Sequence, residues 1–209
     1  MSYNAPGTPN PYAAYPPQAP SPAPSPVSRS KAVGPLLMIA TIMMGLMAGL
    51  FFAYDISVMP GLARTDDRTY VDAMQNFNAL IDGNGLFGMA FIGALVAAAV
   101  AAFLEYRRGR RGTALWIGAA AVLYLVALMI TFSVNIPLNN ELAAAGDPAK
   151  ITDFSIVDKF KGTWETSNIV RTLVCTAALG FLARALVLHG RSSGASAAVG
   201  APAMRPYGV

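Results

Sequence analysis

The sequence predicts an all-α fold, a four-helix transmembrane bundle with disordered N- and C-terminal tails. Three observations carry that prediction. Hydrophobic residues make up 55% of the 209 residues and charged residues 12%, about half the charged share usual in soluble domains. The charges are also missing from long stretches: none occurs from Ala32 to Tyr54, from Gly83 to Leu104, or from Gly112 to Asn140. The basic residues, finally, cluster at alternate ends of those stretches. A water-soluble globule cannot easily dispose of so few charges, so the chain reads as an integral membrane protein.

Residues 1–34 come first and hold nine of the 15 prolines, most densely in PYAAYPPQAPSPAPSP. Proline fixes its own torsion and donates no ladder hydrogen bond, so this segment is expected to be an extended, disordered cytoplasmic tail. It has no charged start followed by a short apolar core, so the first span is expected to insert as an uncleaved anchor.

A helix rises about 1.5 Å per residue, and roughly 20 residues cross a hydrocarbon core of about 30 Å. The charge-free stretches therefore predict spans at 35–54, 85–104 and 114–134. Pro137 is expected to mark the end of the third helix. A fourth span is placed at 169–188, although only Thr172 to Ala183 is free of charge. Crossing there draws Arg171 or Arg184 toward the hydrocarbon, which long arginine stems tolerate by snorkelling. A buried or re-entrant segment is the alternative. Residues 189–209, small and rich in Gly and Ala, are expected to form a second disordered tail.

Charge placement sets the orientation. Arg29 and Lys31 precede span one, Arg107, Arg108, Arg110 and Arg111 join spans two and three, and Arg184, Arg191 and Arg205 follow span four. The acids, apart from Glu105, lie in the two longer connections. Lys- and Arg-rich short loops stay inside, which predicts a multi-pass plasma-membrane protein with both termini cytoplasmic. The basic clusters are topology signals and lipid contacts, and nucleic-acid binding is not expected.

Several motifs carry less than they suggest. Gly83-Asn-Gly-Leu-Phe-Gly88 matches GxGxxG but opens a membrane span, whereas a dinucleotide fingerprint leaves a strand. A single cysteine, Cys175, excludes an intrachain disulfide framework, and a single histidine, His189, excludes a multi-histidine metal site within one chain. His189 reads as an interfacial residue and Cys175 as a packing residue. Met38, Met43, Met44 and Met47 lack a Cys or His among them and read as packing residues too, so no metal is expected. Gly45 and Gly49, with Gly93, Ala97 and Ala101, place small residues at helical spacing. Such stripes let helices approach closely, either within one bundle or in an oligomer.

The polar residues near the outer ends of the spans are more informative. Trp164, Asn168, Arg171 and Cys175 share one helical face, and Val71, Met74, Asn78 and Ile81 repeat that spacing before span two. An amide on an apolar stripe needs partners, because burying it unpaired costs about 1–3 kcal/mol. These residues read either as helix caps and interfacial anchors or as the wall of a pocket at the mouth of the bundle.

The ordered runs VMPGL (58–62), AMQ-x-x-N (73–78), N-x-P-L-N-N (135–140) and W-x3-N-x2-R-T (164–172) resemble the anthrone oxygenase-like membrane family, over about residues 36–188. The resemblance implies four spans and, in some relatives, oxidation of anthrones to anthraquinones without a recognised cofactor. The matching positions are Asn78, Asn135, Asn139, Trp164, Asn168 and Arg171, expected to bind a substrate. Cofactors are accordingly expected to be none. In the enzyme reading, the asparagines and Arg171 stabilise an oxyanion, Trp164 stacks on the rings, and Asp55 or Asp82 is the candidate base. The expected partners are the lipid bilayer and a hydrophobic aromatic small molecule. The alternative is a non-enzymatic module that binds a lipid or quinone or serves as a partner subunit. A transporter is disfavoured by having four spans and no charge deep within the first three.

Overall fold

A computed structural model describes residues 1–2 and 32–199, the stretch 193–199 by backbone alone. The described helices belong to one compact unit, Lys31–Val209. The proline-rich segment 3–31 and the last residues, 200–209, lie outside the described residues, and with them most of the expected N-terminal tail and about half of the C-terminal one.

Four continuous helical rods, Val33–Leu62, Gly85–Arg107, Arg111–Ala144 and Ser155–Ser192, are long and apolar enough to cross a membrane. The first joins α1 (Val33–Ala53) to α2 (Met59–Leu62) through a π-helical turn, Tyr54–Val58. A separate helix, α3 (Asp67–Asp82), leads into the second rod, α4 (Gly85–Arg107). The third rod joins α5 (Arg111–Ile130) to α6 (Ile136–Ala144) through the π turn Thr131–Asn135. The fourth joins α7 (Ser155–Lys159) to α8 (Glu165–Val199) through the π turn Phe160–Trp164. No strand occurs among the described residues. The chain is an all-α four-helix bundle and an integral membrane protein.

The fourth segment is a full-length helix, as the expected fourth span requires. Helix α8 is described as far as Val199. One expectation needs correction. Pro137 does not end the third helix. A proline inside a helix removes one N–H and crowds the carbonyl four residues back, and here the preceding turn widens to absorb it. The Ile136 N–H reaches the Thr131 carbonyl, five residues away, and before Pro60 the Met59 N–H reaches the Tyr54 carbonyl in the same way. Each rod therefore continues past the hydrocarbon-length span that its charge-free stretch predicts.

The spanning helices pack in a closed square, with α1 beside α4 and α8, and α5 beside the same two. All neighbours are antiparallel, as short connections favour. Fully buried Ala40, Ala94, Ala98, Ala101, Ala120, Ala127, Ala178 and Ala185 line the centre. Small side chains let the backbones approach, and dispersion contact replaces the hydrophobic drive that lipid removes. A Cβ added at Gly45 or Gly93 would meet the same chain, Leu179 at 3.8 Å and Met43 Sδ at 3.3 Å, whereas one at Gly49 would face open space. The Tyr124 hydroxyl donates to the Phe91 carbonyl at 2.7 Å, tying α5 to α4 in the core.

The two ends of the bundle differ. At the basic end α4 closes in a Schellman arrangement: Gly109 takes φ +75°, its N–H bonds to the Tyr106 carbonyl, and the Arg110 N–H to the Glu105 carbonyl. Glu105 itself is fully buried there, with Oε1 at 3.0 Å from His189 Nδ1 and 3.5 and 3.6 Å from Arg108 and Arg110. At the other end the long connections fold into a second core. Tyr70, Val71 and Met74 of α3 pack with Met59, Leu138, Leu142, Val157, Phe160 and Trp164. Gln75 Nε2 fastens α3 to the end of the third rod and the turn after it, through the Leu142 and Gly146 carbonyls at 2.8 and 3.0 Å.

Candidate functional site

A cavity of about 240 Å³ lies beneath α3 at this loop end. Its size sits just below the roughly 300–1,000 Å³ typical of small-molecule sites. Phe51 and Tyr54 enter from the first rod, Phe87 and Phe91 from α4, Phe132 from the second π turn, and Trp164 from the third. All six sequence-predicted site residues, Asn78, Asn135, Asn139, Trp164, Asn168 and Arg171, line it as well. Residues from 78 to 171 in the chain thus meet at one wall because four rods and α3 end at the same depth.

The π turns account for part of this convergence. An α-helix keeps one stripe inward, and a single widened turn shifts the register so that a further side chain joins that stripe. Tyr54, Thr131, Phe132, Asn135 and Trp164 all lie in such turns and all line the cavity.

Arg171 is the centre of the polar wall. It is 4% exposed, with Nη1 donating to Thr131 Oγ1 at 3.2 Å and Nη2 to Asn168 Oδ1 at 2.6 Å. Its guanidinium lies 4.3 Å from the Phe51 ring centre and 5.3 Å from that of Trp164. Ring quadrupoles attract a cation most where water is excluded. The same Asn168 donates through Nδ2 to the Phe51 carbonyl at 2.9 Å and to Asp55 Oδ1. Thr172 Oγ1 holds the other Asp55 oxygen. Asn168 thus bridges a buried cation to a carboxylate.

The remaining positions are fixed in turn. Trp164 Nε1 donates to Asn139 Oδ1 at 2.8 Å, and Asn135 Nδ2 donates to Ser167 Oγ at 2.8 Å. Three buried polar atoms on lining residues have no partner: Asn78 Nδ2, Asn135 Oδ1 and Arg171 Nε. Buried polar groups are nearly always paired, so such a cluster asks for an explanation. Two of these atoms are donors and one is an acceptor.

Asp55, Asn135 and Asn139 stand at the same end of the bundle as Arg171 but do not accept from its guanidinium. The acceptors are instead Thr131 and Asn168, and Asp55 acts one residue further back. Asp55 is also not among the residues lining the cavity, whereas Asp82 lies at its rim. Thr131, Phe51 and Phe91 carried no visible signal, since each sits within an apolar run. His189 lies at the basic end against Glu105, a partner that its interfacial reading did not supply.

Residues 84–181 match the family model described as anthrone oxygenase, just under half of the chain. The match takes in Asn135, Asn139, Trp164, Asn168 and Arg171, while Asn78 and Asp55 precede it. No curated protein matches the chain. No solved structure matches it either.

Proposed function

We propose, taking this chain as an anthrone oxygenase-like membrane protein, that its cavity binds a flat aromatic ketone or phenol and promotes its oxidation by O₂ without a cofactor. The observation that carries this reading is the partnerless trio of Asn78 Nδ2, Asn135 Oδ1 and Arg171 Nε on an aromatic-walled cavity. Two donors suit a carbonyl or enolate oxygen, and one acceptor suits a phenolic hydroxyl. The rings of Phe51, Phe87, Phe91 and Trp164 suit the flat faces of such a ligand.

The chemistry needs little more. An anthrone loses a proton from its methylene carbon, and the anion adds O₂ at that carbon to give a hydroperoxide. Loss of water from the hydroperoxide leaves the quinone carbonyl, so anthrone and O₂ become anthraquinone and water. Arg171 and Asn78 favour the anion by donating to its oxygen in a poorly hydrated site. Asp82, the carboxylate at the cavity rim, is placed to take the proton. Asp55 holds Asn168, and through it Arg171, and acts as a positioning residue.

With the basic end inside, the cavity opens near the outer leaflet of the plasma membrane. The second reading is binding without chemistry, favoured by the exposure of Asp82, which leaves the rim carboxylate hydrated. Oxygen uptake by purified protein in nanodiscs separates the two readings. An anthrone should draw one O₂ per quinone formed, and Arg171→Gln should remove that acceleration. Saturable quinone binding with no catalysed uptake would establish the binder.

A further inference from the structure

We propose that the cavity fills from the lipid, through a lateral gap between α4 and the π turn 131–135, so that its ligand is a neutral, membrane-dissolved ring system. This rests on the reading of the cavity as a ligand site, but not on the oxidation.

The roof of the cavity is fastened. Tyr70, Val71 and Met74 of α3 are fully buried, and Gln75 holds the Leu142 carbonyl of the third rod and the Gly146 carbonyl just beyond it. Asn84, at the corner between α3 and α4, is committed to capping, its Oδ1 accepting the Leu86 and Phe87 N–H groups. Opening upward would break this cap and expose its core to water.

The side wall is held by less: Phe91 of α4 meets Phe132 of the π turn through a tilted ring contact, 6.2 Å between centres, in place of hydrogen bonds. Helix α4 runs close to α5, but its close backbone approach to the π turn that continues α5 is sparse. The residues on either edge both line the cavity and face outward: Ile92 is 45% exposed and Phe132 55%. Gly88 lines the cavity one turn along α4 from Ile92, and a Cβ added there would meet nothing within 4 Å. A side chain that borders a cavity and also faces the bilayer marks an edge where the two meet. Leu86 and Met89, both exposed, extend the apolar surface along α4 beside the gap.

The chemistry of the two edges selects the ligand. Gly88, Ile92 and Phe132 offer no hydrogen bond, so a charged molecule passing them loses its hydration without return. The aqueous rim carries Asp82, which repels anions. A flat, uncharged ring system already dissolved among acyl chains pays neither cost, and finds polar partners only once inside.

The test reads association, not turnover. In a Trp116→Phe, Cys175→Ala background, quenching of Trp164 by a neutral anthraquinone is followed by stopped flow in liposomes. Gly88→Phe should slow association about tenfold, while a bulky hydrophilic maleimide on Gly85→Cys, at the aqueous corner, should change it less than about twofold. An unchanged rate in Gly88→Phe, or equal slowing by the maleimide, overturns lateral entry. Oxidation of an anthrone alongside such a result would leave the proposed activity standing. Fast lateral association without O₂ uptake would remove the activity and keep the route. Absence of any saturable quenching would remove both.

Discussion

Arg171 makes two directed bonds and stacks between two rings, which a lysine cannot reproduce. Its fork reaches Thr131 and Asn168 together, whereas a single ammonium is a strongly hydrated point charge. Arg171→Lys and Arg171→Gln should each lower the melting temperature in detergent and weaken quinone binding, with a stability loss of about 1–3 kcal/mol for the stranded polar groups. Wild-type melting and binding in both variants would return Arg171 to the role of a simple interfacial anchor. The Asn168→Leu variant, which separates Arg171 from Asp55, should be at least as damaging by the same two measurements. The four-three-four spacing of Trp164, Asn168, Arg171 and Cys175 made this face legible in the sequence. Thr131 was not legible, because a threonine in an apolar helix ordinarily bonds back to its own turn. It does so here as well, to the Ala127 carbonyl at 2.8 Å, while also accepting from Arg171.

At the scale of elements, the π turns were the hidden feature. Charge-free stretches locate helices because a charge in hydrocarbon is costly, but they end where the polar residues begin. Asn135 and Pro137 therefore looked like a terminus. In the folded chain the rod continues, because the fourth rod covers Asn135 and bonds its amide through Ser167, and the widened turn accommodates the proline. This predicts an uncoupling of stability from function. Pro137→Ala restores an N–H and relieves a strain worth up to about 3 kcal/mol in a regular helix, so the helix can relax toward a tighter turn. Melting should hold or rise, while quinone affinity falls several-fold as Asn135 and Phe132 leave their places; unchanged affinity would disconnect the π turn from the site. Helix α3 has a different dependency. The Thr69 hydroxyl and backbone N–H bonds to Asp66 hold its carboxylate below the ordinary range. A lowered folded value means that the cap contributes fully above the unfolded value and is lost as pH falls through the folded one. Asp66→Ala should thus lower the melting temperature near neutral pH and narrow that difference in acid, which a pH series of melts would check.

For the whole molecule, the first question is which way it faces. On the Cys175→Ala background, Ala149→Cys should react with a membrane-impermeant maleimide in intact cells, and Arg111→Cys only after permeabilisation; the reverse pattern would invert the bundle. At the basic end, Glu105→Ala would leave the arginine and histidine side chains gathered around a missing charge. Breaking a buried pair costs about 3–5 kcal/mol, so the loss should appear in melting while quinone binding to the surviving folded protein is unchanged. Between the two ends lies the alanine-packed midsection, where Ala94, Ala98, Ala120, Ala127 and Ala178 are fully buried. A proton released by a ligand in the cavity meets a layer of methyl groups in that direction. Under the proposed oxidation, that proton leaves on the side where it was released. Turnover then displaces no net charge across the bilayer, and its rate should be the same whether the vesicles are energised or held at zero voltage.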